Sequence, residues 1–359
     1  MPEFHRLRVA EVVEETADAR SVVFDVDITR LPYRPGQFLT LRIPSDRCGS
    51  VARAYSLSSS PVTDGRLAVT VKRTADGYAS NWICDNVAAG TELDVLEPAG
   101  VFTPKALEDD LLLFAAGSGI TPIMSILKSA LATGSGQVVL VYANRDEKSV
   151  IFARELTELA AAHPGRLVVL HWLESVQGLP AQDSLQSLSA AFPEHDAFIC
   201  GPKPFMDATR KALREAGFPK SAIHLERFAS LAGNPFDNAT QAEPATAAAP
   251  DEQEAGAEQE EGAEQAEPEE SVVDVTLDGE NHTFNWPADK RLLDLLKEKG
   301  LPAPSSCSEG ICAACECRVT EGEVTMVNNQ VLEQEDLDEG YVLACQSLPK
   351  TPKVKVDYD

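Results

Sequence analysis

The sequence predicts a multidomain chain: an antiparallel β-barrel, a doubly wound α/β domain, and a small α+β domain at the C-terminal end. Three observations predict it. Across residues 6–102, short runs alternate apolar and polar side chains with a period of two. From residue 111 the apolar runs become continuous and are separated by helical stretches, as in strands covered on both faces. Across residues 238–270, Ala, Glu, Gln and Pro replace almost everything that could build a core.

The barrel strands are read from Ser21-Val22-Val23-Phe24-Asp25-Val26, Gln37-Phe38-Leu39-Thr40-Leu41-Arg42-Ile43 and Arg66-Leu67-Ala68-Val69-Thr70-Val71-Lys72, punctuated by Pro35-Gly36 and Asp64-Gly65. About six strands at this spacing close a small barrel over residues 1–104. In residues 105–236, Leu111-Leu112-Leu113-Phe114-Ala115-Ala116, 138–142, 167–172 and 197–200 read as buried parallel strands. Helices are expected at 122–131 and near 149–162. Residues 237–270 read as a flexible acidic tether with a root-mean-square span on the order of 30 Å, a short Ala/Glu helix being the alternative. Alternation returns over 271–359, where Val273, Val275 and Leu277 share a face ahead of a helix near 291–299.

The formal net charge of −26 argues against nucleic acid as a partner, because phosphate backbones demand a basic surface. The N-terminus has no apolar signal core, and the apolar stretch 111–127 is broken by Gly117, Ser118, Gly119, Thr121 and Pro122. A cytoplasmic monomer without membrane insertion is therefore expected. The histidines are scattered without a two-His-plus-carboxylate grouping, no Cys-x-His pair supplies a Rieske centre, and no Gly-x-Ser-x-Gly nucleophile elbow occurs. Direct oxygen activation and serine hydrolysis are both disfavoured.

The most specific motif is Cys307-Ser308-Glu309-Gly310-Ile311-Cys312-Ala313-Ala314-Cys315, with Cys345 further on. Cys-x4-Cys-x2-Cys…Cys is the spacing with which four thiolates wrap two irons. Structural zinc pairs its ligands, whereas this fourth cysteine stands alone. Cys307, Cys312, Cys315 and Cys345 are thus the expected metal ligands, and Cys317 a packed strand thiol. Residues 271–359 resemble the plant-type ferredoxins, which implies a β-grasp fold and a 2Fe–2S cluster. That family usually has Gly where this chain has Ala313, a departure that bears on loop geometry. Glu309, Glu316 and Glu333-Gln334-Glu335-Asp336 form either an acidic docking face or an ordinary solvated surface.

In the first two domains the strings are Pro35-Gly36-Gln37-Phe38, Arg53-Ala54-Tyr55-Ser56, Gly77-Tyr78-Ala79-Ser80 and Pro98-Ala99-Gly100-Val101-Phe102. They continue with Ala115-Ala116-Gly117-Ser118-Gly119-Ile120-Thr121-Pro122, Ile199-Cys200-Gly201-Pro202 and Leu225-Glu226-Arg227-Phe228. Arg53 offers a fork of donors to a pyrophosphate, Tyr55 an aromatic plane and Ser56 a hydroxyl, a set consistent with a flavin. A glycine-rich turn between buried strand and helix lets backbone amides approach a phosphate. Together these strings resemble the ferredoxin–NADP reductase superfamily over residues 1–236. The resemblance implies FAD held by Arg53, Tyr55, Ser56, Lys72, Gly77 and Ser80. It implies a nicotinamide dinucleotide held by Gly117, Gly119, Thr121, Pro122, Arg145, Asp146, Cys200, Gly201 and Pro202. Tyr55, Ser56, Cys200, Glu226 and Phe228 are then the catalytic residues, with Phe228 shielding the flavin until the nicotinamide displaces it. Arg145 could meet a 2′-phosphate and Asp146 could instead accept from a 2′-hydroxyl, which leaves both nucleotides open; the family resemblance implies NADH, with NADPH possible.

The domain order resembles the reductase components of bacterial multicomponent oxygenases, which take two electrons as hydride and hand them on singly. Met326-Val327-Asn328-Asn329-Gln330-Val331-Leu332 and Leu343-Ala344-Cys345-Gln346 are most similar to reductases of 3-ketosteroid 9α-hydroxylases, and also to those of phenylacetyl-CoA epoxidases. The implied partner is a terminal oxygenase, Rieske-type in the first case and di-iron in the second. A cytochrome P450 or a hybrid-cluster protein is a further alternative. Two more distant readings are a carrier without nicotinamide activity and a structural zinc protein.

Overall fold

The computed structural model describes residues 4–46, 48–75, 77–228, 236, 270–277, 279–305, 310, 315–329, 331–332 and 334–358. Residues 237–269 of the expected tether, Cys307, Cys312, Ala313, Glu309 and Glu333 lie outside the described residues, while its last expected residue, Glu270, opens a strand. The chain forms two compact units, Met1–Asn234 and Pro235–Asp359.

The first unit opens with strands β1 (Phe4–Thr16), β2 (Ala19–Asp27), β3 (Phe38–Ser45), β4 (Gly49–Ser56), β5 (Arg66–Lys72) and β6 (Glu92–Leu96). They form an antiparallel sheet in the order β4-β3-β6-β1-β2-β5, and a bridge between Leu57 and Val69 joins its two ends into a barrel. The alternation seen in the sequence points Val22, Phe24, Leu39, Leu41, Ile43, Val69 and Val95 into one buried cluster. Helix α1 (Tyr78–Asn86) follows β5 and buries Ala79, Ser80, Ile83 and Cys84, two pairs at helical spacing. Its first turn falls on the Gly77-Tyr78-Ala79-Ser80 string, with Gly77 as the N-cap.

The second lobe of this unit is a parallel sheet of β7 (Leu111–Ala116), β8 (Val138–Asn144), β9 (Leu167–Leu173), β10 (Asp196–Cys200) and β11 (Ile223–Glu226). Helices α2 (Ile120–Thr133), α3 (Ala153–Ala162), α4 (Glu174–Gln177), α5 (Gln182–Ser189) and α6 (Lys203–Glu215) connect them. The order β11-β10-β7-β8-β9 reverses between β7 and β10, which places a topological switch point at their C-terminal ends. Leu111, Leu113 and Ala115 face one apolar cluster with α2, while Leu112 and Phe114 face the other with α6. This two-sided burial explains why β7 and β8 read as unbroken apolar runs. β9 differs from its expected burial on both faces: it is the sheet's edge and is mostly half-exposed. Helix α3 also starts later than the sequence pattern predicts. Asp146 caps a short 3-10 turn over Glu147–Ser149, and Phe152 adopts a left-handed φ of 61° immediately before the helix.

Polar contacts seat α2 on the barrel. The Ser125 hydroxyl donates to the Ser59 carbonyl at 2.6 Å, and the hydroxyls of Ser60 and Ser129 lie 2.8 Å apart. Buried Lys128 sits between Asp64 at 2.6 Å and Glu155 at 3.1 Å. These bonds fix the helix, and through it the glycine-rich turn that precedes it.

The second unit comprises β12 (Glu270–Leu277), β13 (Glu280–Pro287), α7 (Leu292–Glu298), β14 (Glu316–Glu321), β15 (Val324–Met326), α8 (Gln334–Asp338), β16 (Tyr341–Leu343), β17 (Ser347–Pro349) and β18 (Lys353–Asp357). Its sheet runs β13-β12-β18-β14-β16, with β12 and β18 parallel and the other pairs antiparallel. Val273, Val275 and Leu277 meet Leu292, Leu293, Leu295 and Leu296 of α7 around fully buried Trp286. A mixed sheet wrapped on one helix is the expected β-grasp. Among the described residues no helix is long and apolar enough to cross a membrane.

Candidate functional site

Arg53 and Tyr55 alternate on β4, where the register sets them opposite Leu41 and Leu39. They therefore share one sheet face, and Ala54 and Ser56 share the other. Tyr55 packs against the barrel cluster, and burial raises its phenol pKa well above the ordinary value. One Arg53 nitrogen, Nη1, donates to the Ala52 carbonyl at 2.7 Å. Ser80 spends its hydroxyl locally: it accepts the Thr74 N–H at 3.1 Å and shapes the turn that leads into α1. The first N–H groups of α1 have no acceptor within the helix and are suited to an anion. A guanidinium, an aromatic plane and an open helix start form a donor set that fits a flavin dinucleotide.

At the switch point the two lobes' loops converge. Lys72 ends β5, and a Cβ placed on Gly117 would lie 3.7 Å from its Nζ. Gly119 approaches the β10 loop so closely that a Cβ would sit 2.1 Å from the Cys200 carbonyl oxygen. Only glycine fits there. Thr121 donates to the Ser118 carbonyl at 3.1 Å, and the buried Tyr142 hydroxyl donates to the Gly117 carbonyl at 3.1 Å, so the turn is held from two sides. Pro122 sits in the first turn of α2, where the missing N–H breaks no helical bond. Gly201 packs on Ala116 and Phe205, and Pro202 caps α6. Backbone cradled this tightly fits a dinucleotide phosphate.

Cys200 and Glu226 end adjacent parallel strands and are direct register partners. Burial pushes the Cys200 thiol well up, with Glu226 adding to the effect. Glu226 is half-buried, and desolvation raises its carboxyl from 4.5 to about 8. The group is therefore neutral and able to donate a hydrogen bond below that pH, and becomes an anion as pH rises through it. NADH-driven flavin reduction is expected to show an alkaline limb with an apparent pKa near 8. The substitution Glu226→Gln should abolish that limb in a stopped-flow pH profile; an unchanged limb would exclude Glu226 as its source. Phe228, two residues on, is exposed.

At the end of β8, Arg145 and Asp146 are both engaged. The Asp146 carboxylate accepts the Ser149 N–H at 3.0 Å as a cap, and Arg145 Nη2 lies 3.2 Å from Asp18 Oδ2. No motif in the sequence marks Asp18, because the contact spans the two lobes.

In the second unit, Cys315 and Cys345 are both buried and brought together: the Cys345 N–H donates to Cys315 Sγ at 3.4 Å. Gln346 Nε2 donates to Cys345 Sγ at 3.4 Å. Donors aimed at sulfur favour thiolates, so the pair fits a metal cluster. Gly310, at φ +77°, lies under the Asn328 carbonyl, which a Cβ would meet at 2.7 Å. Cys317 is buried on β14 as a packed thiol.

These features define a flavin- and nicotinamide-dependent oxidoreductase of the ferredoxin–NADP reductase superfamily that carries its own ferredoxin domain. Residues 6–103 match the family model of the oxidoreductase FAD-binding domain, 113–211 that of the oxidoreductase NAD-binding domain, and 275–350 that of the 2Fe-2S iron-sulfur cluster binding domain. The chain is 55% identical over 355 residues to the 3-ketosteroid-9-alpha-monooxygenase ferredoxin reductase component of Rhodococcus rhodochrous, covering 98% of this chain and 96% of that one. It is 34% identical over 383 residues to a component of the 1,2-phenylacetyl-CoA epoxidase of Escherichia coli, covering 100% and 99%. The phthalate dioxygenase reductase structure shares the fold, with a TM-score of 0.56, 24% identity and coverage of 99% and 98%. The chain belongs to the family of ferredoxin reductase components that includes the Rhodococcus protein. It is an electron-transfer reductase whose cofactors are FAD, NAD(H) and a 2Fe–2S cluster.

Proposed function

We propose that this chain delivers electrons from NADH, through FAD and its own cluster, to a Rieske-type oxygenase that hydroxylates 3-ketosteroids at the 9α position. The observation that carries this reading is the 55% identity along nearly the whole chain to a reductase of that system, against 34% to the epoxidase component. The flavin supplies conversion of a two-electron hydride donor into single-electron steps. The protein's share is placement. Arg53 and the α1 amides, arranged by Gly77 and Ser80, would hold the pyrophosphate with Lys72 nearby; Tyr55 would lie along the isoalloxazine, and Ser56 would meet its polar edge from the end of β4. Gly117, Gly119, Thr121 and Pro122 shape the dinucleotide cradle. Cys200, Gly201, Pro202 and Glu226 would border the nicotinamide, and exposed Phe228 would shield a flavin face that the nicotinamide must reach. Cys307, Cys312, Cys315 and Cys345 hold the cluster. The protein works as a cytoplasmic monomer, and its domains are 1–104, 105–236 and 271–359 with 237–270 as the tether.

Reconstitution tests the partner. Purified reductase is combined with NADH and either a 3-ketosteroid 9α-oxygenase or the di-iron epoxidase component. Product formation only with the steroid oxygenase is expected; turnover only with the epoxidase would overturn the assignment.

A further inference from the structure

The turn between β1 and β2 reaches the parallel-sheet lobe of the same unit through Asp18. Its Oδ2 lies 3.2 Å from Arg145 Nη2 and 3.8 Å from Lys72 Nζ. The position is prearranged: Oδ1 accepts from the Thr16 hydroxyl at 2.8 Å, and the Asp18 carbonyl accepts the Arg73 N–H at 2.7 Å. Arg145 is equally fixed at its backbone, where its carbonyl accepts the Ser175 N–H at 2.8 Å.

Arg145 directly follows β8, the strand beside β7 on the side away from the switch point. In doubly wound sheets the end of that strand meets the adenosine ribose, where an acidic group binds a 2′-hydroxyl or an arginine receives a 2′-phosphate. Asp146, the acidic candidate, already caps Ser149. Arg145 would suit a 2′-phosphate, yet its charge is taken up by a carboxylate from the other lobe.

We infer that Asp18 sets the choice of donor: by holding Arg145 across the two lobes it withholds the guanidinium from a 2′-phosphate, and so favours NADH over NADPH. NADPH must either break the Asp18–Arg145 pair or bring its phosphate beside a carboxylate that stays in place. NADH carries no such group and leaves the pair intact. Selectivity then comes from a charge set against the wrong nucleotide as much as from contacts with the right one. The inference rests on the proposed placement of the dinucleotide along the ends of β7 and β8.

Asp18→Asn tests it in the full-length holoprotein, since the amide oxygen preserves an acceptor for Thr16. Flavin reduction is followed by stopped flow with each nucleotide. The efficiency with NADPH should rise about fivefold, the ceiling for a part-exposed ion pair, with NADH constant within about twofold. Adding Arg145→Ala should remove the gain. An unchanged ratio, an equal change for both nucleotides, or a gain that survives Arg145→Ala would each overturn the role of Asp18. If Arg145→Glu, which would set a further carboxylate at the end of β8, left the KM of both nucleotides unchanged, the dinucleotide placement itself would fail, and the inference with it.

Discussion

Replacing Cys345 with alanine removes the iron–sulfur absorption and reduces electron delivery to a protein acceptor to background, while NADH still reduces the flavin. Cys345 is buried and its N–H donates to Cys315 Sγ, so solvent has little access to take the place of its sulfur. Deleting one ligand also removes the sulfur that accepts from Gln346 Nε2. The flavin and nicotinamide residues belong to the other compact unit, and that unit has its own cores. The expected signature is therefore split. Iron content and the broad visible band are lost, whereas NADH-dependent reduction of a small-molecule acceptor at the flavin persists. Retention of iron at the full level would show that Cys345 is not a ligand. Loss of both activities would show that the units do not act separately.

Gly119→Ala should cut NADH-driven flavin reduction by about 100-fold, because small misplacements of a reacting pair carry that scale of cost. The added Cβ would fall 2.1 Å from the Cys200 carbonyl oxygen, and the obstacle is backbone rather than a flexible side-chain end. The β7 and β10 loops must then move apart, which shifts Cys200 and its strand partner Glu226 relative to the glycine-rich turn. The flavin residues on β4 and α1 are untouched, so bound flavin should be retained in the purified variant. Overpacking of this kind also costs about 1–3 kcal/mol of stability, measurable in denaturant. Wild-type reduction rates in the alanine variant would contradict the close approach.

The strands whose environment is set by local pattern are the ones legible in the sequence. β2, β3 and β5 alternate because one face is buried, and β7 and β8 are unbroken because both are. β9 carries a similar apolar run yet lies at the edge, since strand order is a tertiary choice that no local window contains. The start of α3 is displaced from its expected position because Asp146 and Ser149 cap a separate turn and Phe152 turns left-handed. The same division holds at the sites. Tyr55, Gly119 and Cys200 stand out through motif strings. The pairing of Arg145 with Asp18 does not, because it joins residues 127 apart in the chain. The serine contacts that seat α2 on the barrel are hidden for the same reason.

The most direct test of the whole electron path is an anaerobic titration of the purified holoprotein with NADH, followed by visible absorption. The flavin bands and the broad iron–sulfur band should both bleach. Flavin bleaching beside a cluster that stays oxidised would contradict internal transfer, and no bleaching at all would contradict the reductase assignment itself.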